Sequence, residues 1–478
     1  MTVGHNYSMT INGEAVSSTS SIDVINPATE EVFAQAPECS REQLDAAVRA
    51  AHRAFAGWSA TPYEQRQALV HALGQAILDD LDTLSTLLTR EQGKPLFEAK
   101  IEITSLGRLL QAQSTITLPV DVAEDGPDRI VETHHVPIGV VAAIVPWNFP
   151  MLLSGFKIGP ALLTGNTMVL KPSPFTPLTA LKLGELTRSI LPPGVLNVIS
   201  GADELGPWLT NHPLIDKISF TGSTGTGQKV MESAAASLKR LTLELGGNDA
   251  AIVLPDVDVE KVADKLFWSA FGNNGQICIA TKRMYIHKDI YEPLKQALTA
   301  YAARIKVGDG AQKGTRIGPI NNRPQYDRVR GLIEDSRKNG YAFLTGGEEH
   351  QGPGYFIPVT LIDNPPEDSR IVAEEQFGPV LPLLRYDTVD EVIKRANDCE
   401  YGLAGSVWSS DEDKALAVAR RLKTGTVFIN HDQYLSPFAA FGGQRKSGLG
   451  VEGGLPGLLE YTYTQTLVRR KRRAGTVE

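Results

Sequence analysis

The sequence predicts an α/β protein built around a doubly wound parallel sheet. From Gly139 onward, continuous apolar segments rich in β-branched residues alternate with helix-like segments, the pattern of strands buried on both faces and joined by crossover helices. Glycine and proline punctuate the joints. The conspicuous residues Pro146-Trp147-Asn148, Lys171 and Thr221-Gly222 fall at the carboxyl ends of the apolar segments, where open α/β sheets bind their ligands.

Taken in order, the chain opens with β-like segments at Met9–Val16 and Ser21–Asn26. Ser40 and Gln43 make a capping-box pair, and Leu44, Ala47, Val48, Ala51, Phe55 and Trp58 follow at helical spacing. Thr61, Pro62 and Glu64 open a second helix with proline at its first position, expected to bend near Gly74 and to stop at Gly93. Val136–Phe156 carries no charged side chain and is long enough to span a bilayer. Pro137, Pro146 and Pro150 would break such a helix, so the stretch reads as a buried strand, a loop and a helix start. The expected parallel strands are Gly139–Val145, Thr167–Lys171, Val195–Ser200, Lys217–Phe220 and Leu241–Leu245. A second alternation, from Ala250 to about Phe441, places helices over Asp258–Phe271 and Ile290–Ile305 and strands over Met284–His287 and Val427–Asn430. The last strand, Tyr461–Val468, needs a partner from another chain or a distant strand, and Asp128–Val136 is a candidate partner of the same kind.

A length of 478 residues suggests about three domains. With 42% hydrophobic and 21% charged residues, collagen-like, coiled-coil and largely disordered proteins are excluded. A net charge of −8 argues against a nucleic-acid partner. Cys39, Cys278 and Cys399 cannot build a disulfide framework, and no two have metal-ligand spacing. The histidines show no H-E-x-x-H pattern, and His134-His135 reads as a strand facing two ways, so no metal is expected. Met1–Thr19 is polar and has no signal-peptide pattern. A reduced, cytoplasmic protein with no membrane partner is expected.

Three short motifs carry the chemistry. Phe220-Thr-Gly-Ser-Thr-Gly-Thr-Gly227 follows a strand and precedes a helix-like segment, so its backbone N–H groups could meet a phosphate. Its order is G-x-x-G-x-G, and alone it reads equally as a glycine-rich turn. Glu244, in Leu243-Glu244-Leu245-Gly246-Gly247, places an acid at a strand end, where apolar surroundings would raise its pKa and suit a general base. Alone it also reads as a capping or salt-bridged Glu. Cys278 follows the Gly/Asn-rich bend Gly272-Asn-Asn-Gly275, a setting for a nucleophile, although a lone cysteine is also a small buried hydrophobe.

Together these fragments resemble the NAD(P)-dependent aldehyde dehydrogenase superfamily. Pro146-Trp-Asn-Phe-Pro150, Leu170-Lys171-Pro-Ser, Phe220-Thr-Gly-Ser-Thr, Glu244-Leu-Gly-Gly247, Gly275-Gln-Ile-Cys278, Glu374-Glu-Gln-Phe-Gly-Pro379 and Phe441-Gly-Gly-Gln-Arg-Lys-Ser-Gly448 match family motifs in family order. The separations, 34 residues from Glu244 to Cys278 and 97 from Cys278 to Glu375, are similar to those of the hydrolytic, non-acylating members. The resemblance runs from about Ile22 to Thr464. It implies three parts: a Rossmann-type cofactor domain (1–117 and 138–245), an α/β catalytic domain (246–447) and a small β oligomerisation flap (118–137 and 448–478). A homodimer or homotetramer is implied.

The resemblance also implies roles. Cys278 would attack the aldehyde, Asn148 and the Cys278 N–H would hold the oxyanion, and Glu244 would activate the water that hydrolyses the thioester. Lys171 would bond the adenosine ribose, Glu375 would hold the nicotinamide ribose, and Phe377 would pack near the nicotinamide. Gly222 to Gly227 would lie by the pyrophosphate, with Val145, Trp147, Ser173, Ser223 and Leu245 completing the cofactor site. Glu452 matches an acid associated with proton relay. Many NAD-preferring members carry Glu three residues after the equivalent of Lys171. Here that position is Pro174, so NAD is expected with NADP accepted. Phe149, Leu152, Phe156, Ile277, Ile279, Leu435 and Phe441 would line the substrate pocket. All are apolar and none is arginine, which favours an aliphatic or aromatic aldehyde over a semialdehyde bearing a carboxylate. His431, Asp432, Gln433 and Tyr434 lie close in sequence to that lining. The alternatives are a semialdehyde-specific or CoA-acylating enzyme, or a non-catalytic relative; retention of Glu244, Cys278 and Asn148 together argues against the last. The basic run Arg469–Arg473 reads as a solvated tail or a source of ion pairs between subunits.

Overall fold

The computed structural model describes residues 7–471. Its largest sheet has eight strands. Five run parallel, in the order Arg240–Glu244, Lys217–Thr221, Val140–Ile144, Thr167–Lys171 and Leu196–Val198. The chain winds outward from Val140–Ile144 in one direction and then returns to its other side. The topological switch point therefore lies between Val140–Ile144 and Lys217–Thr221. Antiparallel strands close both edges, Gly448–Leu449 on one and Met9–Ile11 with Glu14–Val16 on the other. Val140 to Ala143 and Met168 to Leu170 are buried, which is why these strands are continuously apolar in sequence.

The helices follow their sequence signals with two corrections. Ser40 Oγ accepts from the Gln43 N–H at 3.2 Å and Gln43 Oε1 accepts from the Ser40 N–H at 3.0 Å, closing the capping box of Arg41–Ser59. Leu44, Ala47, Val48, Ala51 and Trp58 are buried by that helix, whereas Phe55 is half-buried. The second expected helix is two, Tyr63–Asp79 and Leu81–Gln92, broken at Asp80 and not at Gly74. Gly74 is needed for a close helix crossing: a Cβ there would lie 2.6 Å from the Gly107 carbonyl oxygen on the helix Leu96–Gln113. Pro62 precedes the first helical residue and serves as the N-cap. Gly93 ends the run with φ 100°.

A second sheet has seven strands, in the order Ala342–Thr345, Thr360–Asp363, Val380–Tyr386, Thr281–His287, Asp249–Val253, Ala404–Trp408 and Thr426–Ile429. Only the first pairing is antiparallel. The helices Val259–Phe271 and Tyr291–Ala302 pack on one of its two apolar cores. Leu245–Asn248 carries the chain directly from the last strand of the first parallel set into Asp249–Val253. The carboxyl end of one sheet is thereby tied to the start of the other.

The two solitary strands find each other. Thr462–Arg470 runs antiparallel to Arg129–Pro137, from Thr462↔Pro137 to Arg470↔Arg129, and Asp121–Asp125 adds a third strand. Within this sheet Arg469 lies 3.5 Å from Glu132 and Lys471 pairs with Asp125. Arg472 and Arg473 lie outside the described residues. His134 and His135 each lie near an acid of the same sheet, Glu132 at 3.7 Å and Asp121 at 3.8 Å. Among the described residues no cluster of three or more His, Cys, Asp or Glu could hold a metal, and no helix is long and apolar enough to cross a membrane.

Candidate active site

Asn148 sits in the loop between the strand Val140–Ile144 and the helix Pro150–Leu163 and is buried. Its side-chain amide donates to the Gln276 carbonyl at 2.9 Å. An amide nitrogen carries two N–H groups, so one is fixed and one remains available. Its backbone carbonyl accepts from Lys94 Nζ at 2.9 Å and from Asn273 Nδ2 at 3.0 Å. Lys94 is fully buried, pairs with Glu102 at 2.5 Å and lies 3.8 Å from the centre of the Phe149 ring. Glu102 accepts the N–H groups of Met151 at 2.9 Å and Leu152 at 3.2 Å, otherwise unsatisfied in the first helical turn. Removing one partner of a buried pair strands the other charge. Lys94→Met is therefore expected to destabilise the fold by about 3–5 kcal/mol. Adding Glu102→Gln should recover part of that loss, as read by denaturant unfolding of the single and double variants.

The nucleophile candidate is delivered by a turn of unusual backbone. After Val259–Phe271, Asn273, Asn274 and Gly275 take φ of 46°, 60° and 71° in succession. Asparagine tolerates this left-handed region better than other side chains because it bonds locally. Gln276 Nε2 donates to the Asn273 carbonyl at 3.0 Å, and its Oε1 accepts from the Asn321 N–H at 2.9 Å. Cys278 follows and is half-buried. Enough protein surrounds its sulfur that desolvation pushes the thiol up to about 12. The charges of Asp249, Glu244 and Glu375 act the same way, and that of Lys282 opposes them.

Glu244 ends the strand Arg240–Glu244. It is buried and neither carboxylate oxygen has a hydrogen-bond partner in the protein, so it is neither a cap nor a salt bridge. Burial raises its pKa well above the usual carboxylate value, with the charge of Glu452 adding and that of Lys157 opposing. Lys157, fully buried on the helix Pro150–Leu163, donates to Glu452 at 2.6 Å, Thr221 at 2.8 Å and Ser219 at 3.2 Å. Between Glu244 and the second sheet, Gly246 and Gly247 leave room for their neighbours. A Cβ on Gly246 would run into the Glu375 carboxylate, and one on Gly247 would meet the Cys278 carbonyl oxygen at 3.0 Å.

Most of the expected cofactor residues lie at or just after the carboxyl ends of the first-sheet strands, on either side of the switch point. Gly222 N–H donates to the Glu244 carbonyl at 3.0 Å. Ser223 Oγ accepts from the Thr226 N–H at 3.3 Å and caps the helix Thr224–Ala235. Leu245 is buried and fills the space a side chain on Gly227 would take. Val145, Lys171 and Ser173 are buried at the neighbouring strand ends. Lys171 Nζ donates to the Pro172 carbonyl at 3.2 Å, and burial lowers its pKa to about 8 against the opposing charge of Asp203. From the second sheet come Glu375, accepting the Gly247 N–H at 3.1 Å, and Phe377, edge-on to Trp147 at 5.4 Å. Phe377 has φ 52° and is held by Gln325, which donates to its carbonyl and to that of Gln376, each at 3.0 Å. A helix N-terminus after a strand end, a buried cation and a carboxylate contributed by the segment before Val380–Tyr386 are the kinds of group that suit a dinucleotide.

The substrate-lining candidates fall into two groups that meet at Leu435. Ile277, Ile279, Phe441 and Leu435 pack with Cys278, Leu403 and Phe428. Phe149, Leu152, Phe156 and Leu435 pack with the core of the first sheet. His431 and Asp432 pair with each other at 3.2 Å, Gln433 donates to the Ser269 carbonyl at 2.5 Å, and Tyr434 is 62% exposed. Sequence reasoning missed Lys94, Glu102, Lys157, Asp249 and Lys282. Each is an ionisable residue with no motif around it to mark a role, and all are buried.

Comparison with known proteins agrees on one family. The model described as "Aldehyde dehydrogenase family" matches residues 15–467. The Pseudomonas protein named "Probable aldehyde dehydrogenase" is 42% identical over 465 residues, 97% of this chain and 94% of its own. The glutarate-semialdehyde dehydrogenase of Pseudomonas putida is 39% identical over 458 residues, 94% of this chain and 95% of its own. Among solved structures, the NAD+ complex of aldehyde dehydrogenase from Bacillus cereus aligns with a TM-score of 0.96 at 37% identity, covering 98% of each chain.

Proposed function

The chain belongs to the aldehyde dehydrogenase family and is an NAD(P)-dependent oxidoreductase, and from that premise we propose a hydrolytic mechanism carried by Cys278, Asn148 and Glu244. The supporting observation is that a buried carboxylate with no hydrogen-bond partner, Glu244, ends a strand of the first sheet, while the partly exposed Cys278 thiol follows the turn whose Asn273 and Gln276 are tied to Asn148. The Cys278 thiolate adds to the aldehyde carbon, forming a C–S bond. The carbonyl oxygen becomes an oxyanion that faces the free N–H of Asn148 and the Cys278 backbone N–H. The C–H bond then breaks with loss of hydride, and the carbonyl re-forms as a thioester. Bound at the cofactor site, NAD supplies the acceptor for that hydride. Glu244 next takes a proton from water, whose oxygen attacks the thioester. The C–S bond breaks, the acid leaves and Cys278 is regenerated. Glu452, held by Lys157 at 2.6 Å, is the acid assigned to carry that proton onward. Asn148→Ala is expected to lower kcat by about 10²–10³-fold and to suppress the pre-steady-state NADH burst, because it acts before hydride transfer. A normal burst in that variant would remove Asn148 from the oxyanion role.

Lys171 and Ser173 hold the adenosine ribose, Glu375 the nicotinamide ribose, and Trp147 with Phe377 the ring end. Pro174 leaves no carboxylate beside Lys171 to repel a 2′-phosphate. NAD is preferred by a modest factor, on the order of tenfold or about 1.4 kcal/mol, and NADP is accepted. Pro174→Glu should depress kcat/KM with NADP more than with NAD. Equal losses with both would show that this position does not choose.

The substrate is an apolar aliphatic or aromatic aldehyde, a reading supported by the apolar packing of Ile277, Ile279, Leu435 and Phe441 around Cys278. The glutarate-semialdehyde dehydrogenase relative supplies the second reading. A kcat/KM panel of hexanal, benzaldehyde and glutarate semialdehyde with both cofactors decides between them, and preference for the semialdehyde would overturn the apolar assignment. The first sheet is read as the cofactor domain, the second as the catalytic domain and the three-stranded sheet as an oligomerisation flap. Leu467 and Val468 are exposed on its edge strand, which supports a dimer or tetramer.

A further inference from the structure

Lys282 lies near the start of the strand Thr281–His287, four residues after the nucleophile. Its side chain is 3% exposed. The ammonium donates to the Ile277 carbonyl at 2.8 Å and to the Cys278 carbonyl, and it lies 3.6 Å from Glu375 Oε1. It thus reaches the two carbonyls that frame the nucleophile and the carboxylate read as the nicotinamide-ribose holder. The groups around it are acids: Cys278, Asp249 and Glu375, with Glu244 acting on the same sulfur. In Cys278, Asp249 and Glu375 alike, the charge of Lys282 is the largest influence favouring the ionised form.

The neighbouring cations are committed elsewhere. The Arg283 guanidinium donates to the carbonyls of Asn248, Arg395 and Ala396. Lys157 is paired with Glu452, and Arg328 reaches Glu374 and the Glu375 carbonyl from outside. A neutral donor would suffice to hold two carbonyls. A full charge buried this deeply is costly to desolvate unless an anion faces it.

We propose that Lys282 is a positioning residue of the reaction: its ammonium clamps the Ile277 and Cys278 carbonyls, and its charge is the counter-ion the Cys278 sulfur meets on becoming a thiolate. This rests on the reading of Cys278 as the nucleophile. Because the thiolate is the reactive form, the charge should be visible in thiol chemistry without aldehyde or cofactor.

The test alkylates the full-length protein with neutral iodoacetamide and with anionic iodoacetate between pH 7 and 10. A C–S bond forms, iodide leaves, the thiol proton passes to buffer, and the labelled cysteine is identified by peptide mass spectrometry. Wild type, Lys282→Met, Lys282→Gln and Lys282→Arg are compared. Lys282→Gln keeps N–H donors for the carbonyls and carries the test where Lys282→Met does not fold. The expected result is a loss of iodoacetamide rate at Cys278 on the order of tenfold in Lys282→Gln, near-wild-type rates in Lys282→Arg, and a further severalfold loss of iodoacetate relative to iodoacetamide in Lys282→Gln. A loop that is merely loosened would change both reagents alike. Wild-type rates and an unchanged reagent ratio in folded Lys282→Gln would overturn the proposal. Label on Cys39 or Cys399 in place of Cys278 in the wild type would instead overturn the nucleophile assignment.

Discussion

Cys278→Ala is expected to abolish aldehyde oxidation while leaving NAD binding close to wild type. The loss should be on the order of 10⁴–10⁶-fold in kcat, the scale seen when a covalent nucleophile is deleted. The reason is geometric. Cys278 is partly exposed at the end of a strained turn, beside the Asn148 loop and within the electrostatic reach of Glu244. The other thiols lack that setting. Cys39 is 3% exposed and its thiol is turned to the Ser40 carbonyl at 3.4 Å. Cys399 follows the helix Val389–Asn397, and its carbonyl is tied to Arg445. Cys39→Ala and Cys399→Ala should therefore stay active. NADH formation gives the catalytic loss, and quenching of tryptophan fluorescence on NAD titration checks that the cofactor site survives. More than a trace of turnover in Cys278→Ala would end the covalent account.

Glu244→Gln is expected to separate the two halves of the reaction. Nothing in the protein bonds the Glu244 carboxylate, so replacing it with an amide should leave the local packing intact. Attack and hydride transfer do not require it. Hydrolysis of the thioester does, and loss of a general base costs about 10²–10⁴-fold. Steady-state kcat should fall by that factor while the first-turnover NADH burst persists. The pH dependence follows from the same environment. Glu244 works as a base only when deprotonated, and burial raises its pKa well above the usual carboxylate value. In the wild type, kcat should decline as pH falls, along a limb lying above the ordinary carboxylate range, and Glu244→Gln should lose that limb.

The five parallel strands of the first sheet were legible from sequence because they are buried on both faces and cannot carry polar residues without a reason, whereas only two of the seven strands of the second sheet, Thr281–His287 and Thr426–Ile429, were read in advance. Where polar residues do occur in the first sheet, as at Ser219, Thr221 and Thr242, they face Lys157, Lys217 and Glu460. The break at Asp80 was not legible, since neither proline nor glycine marks it. The partner of the terminal strand could be named as a candidate but not chosen, because pairing between Thr462–Arg470 and Arg129–Pro137 bridges more than three hundred residues. At the site, Cys278, Glu244 and Asn148 stood out through their glycine-rich or proline-rich neighbours. Lys94, Glu102, Lys157 and Lys282 were not singled out. A lone lysine reads as surface until the fold shows it enclosed with its acid or its carbonyls.

In the proposed mechanism the aldehyde carbon becomes an acyl group on Cys278 and Glu244 releases it. The direct measurement is mass spectrometry of Glu244→Gln quenched in acid after one turnover with NAD and an apolar aldehyde. One acyl group, mapped to Cys278, is expected in amount equal to the NADH formed. If no adduct accumulates and the burst also disappears, Glu244 acts before acylation, in deprotonating Cys278, and the division of labour proposed for this site is wrong.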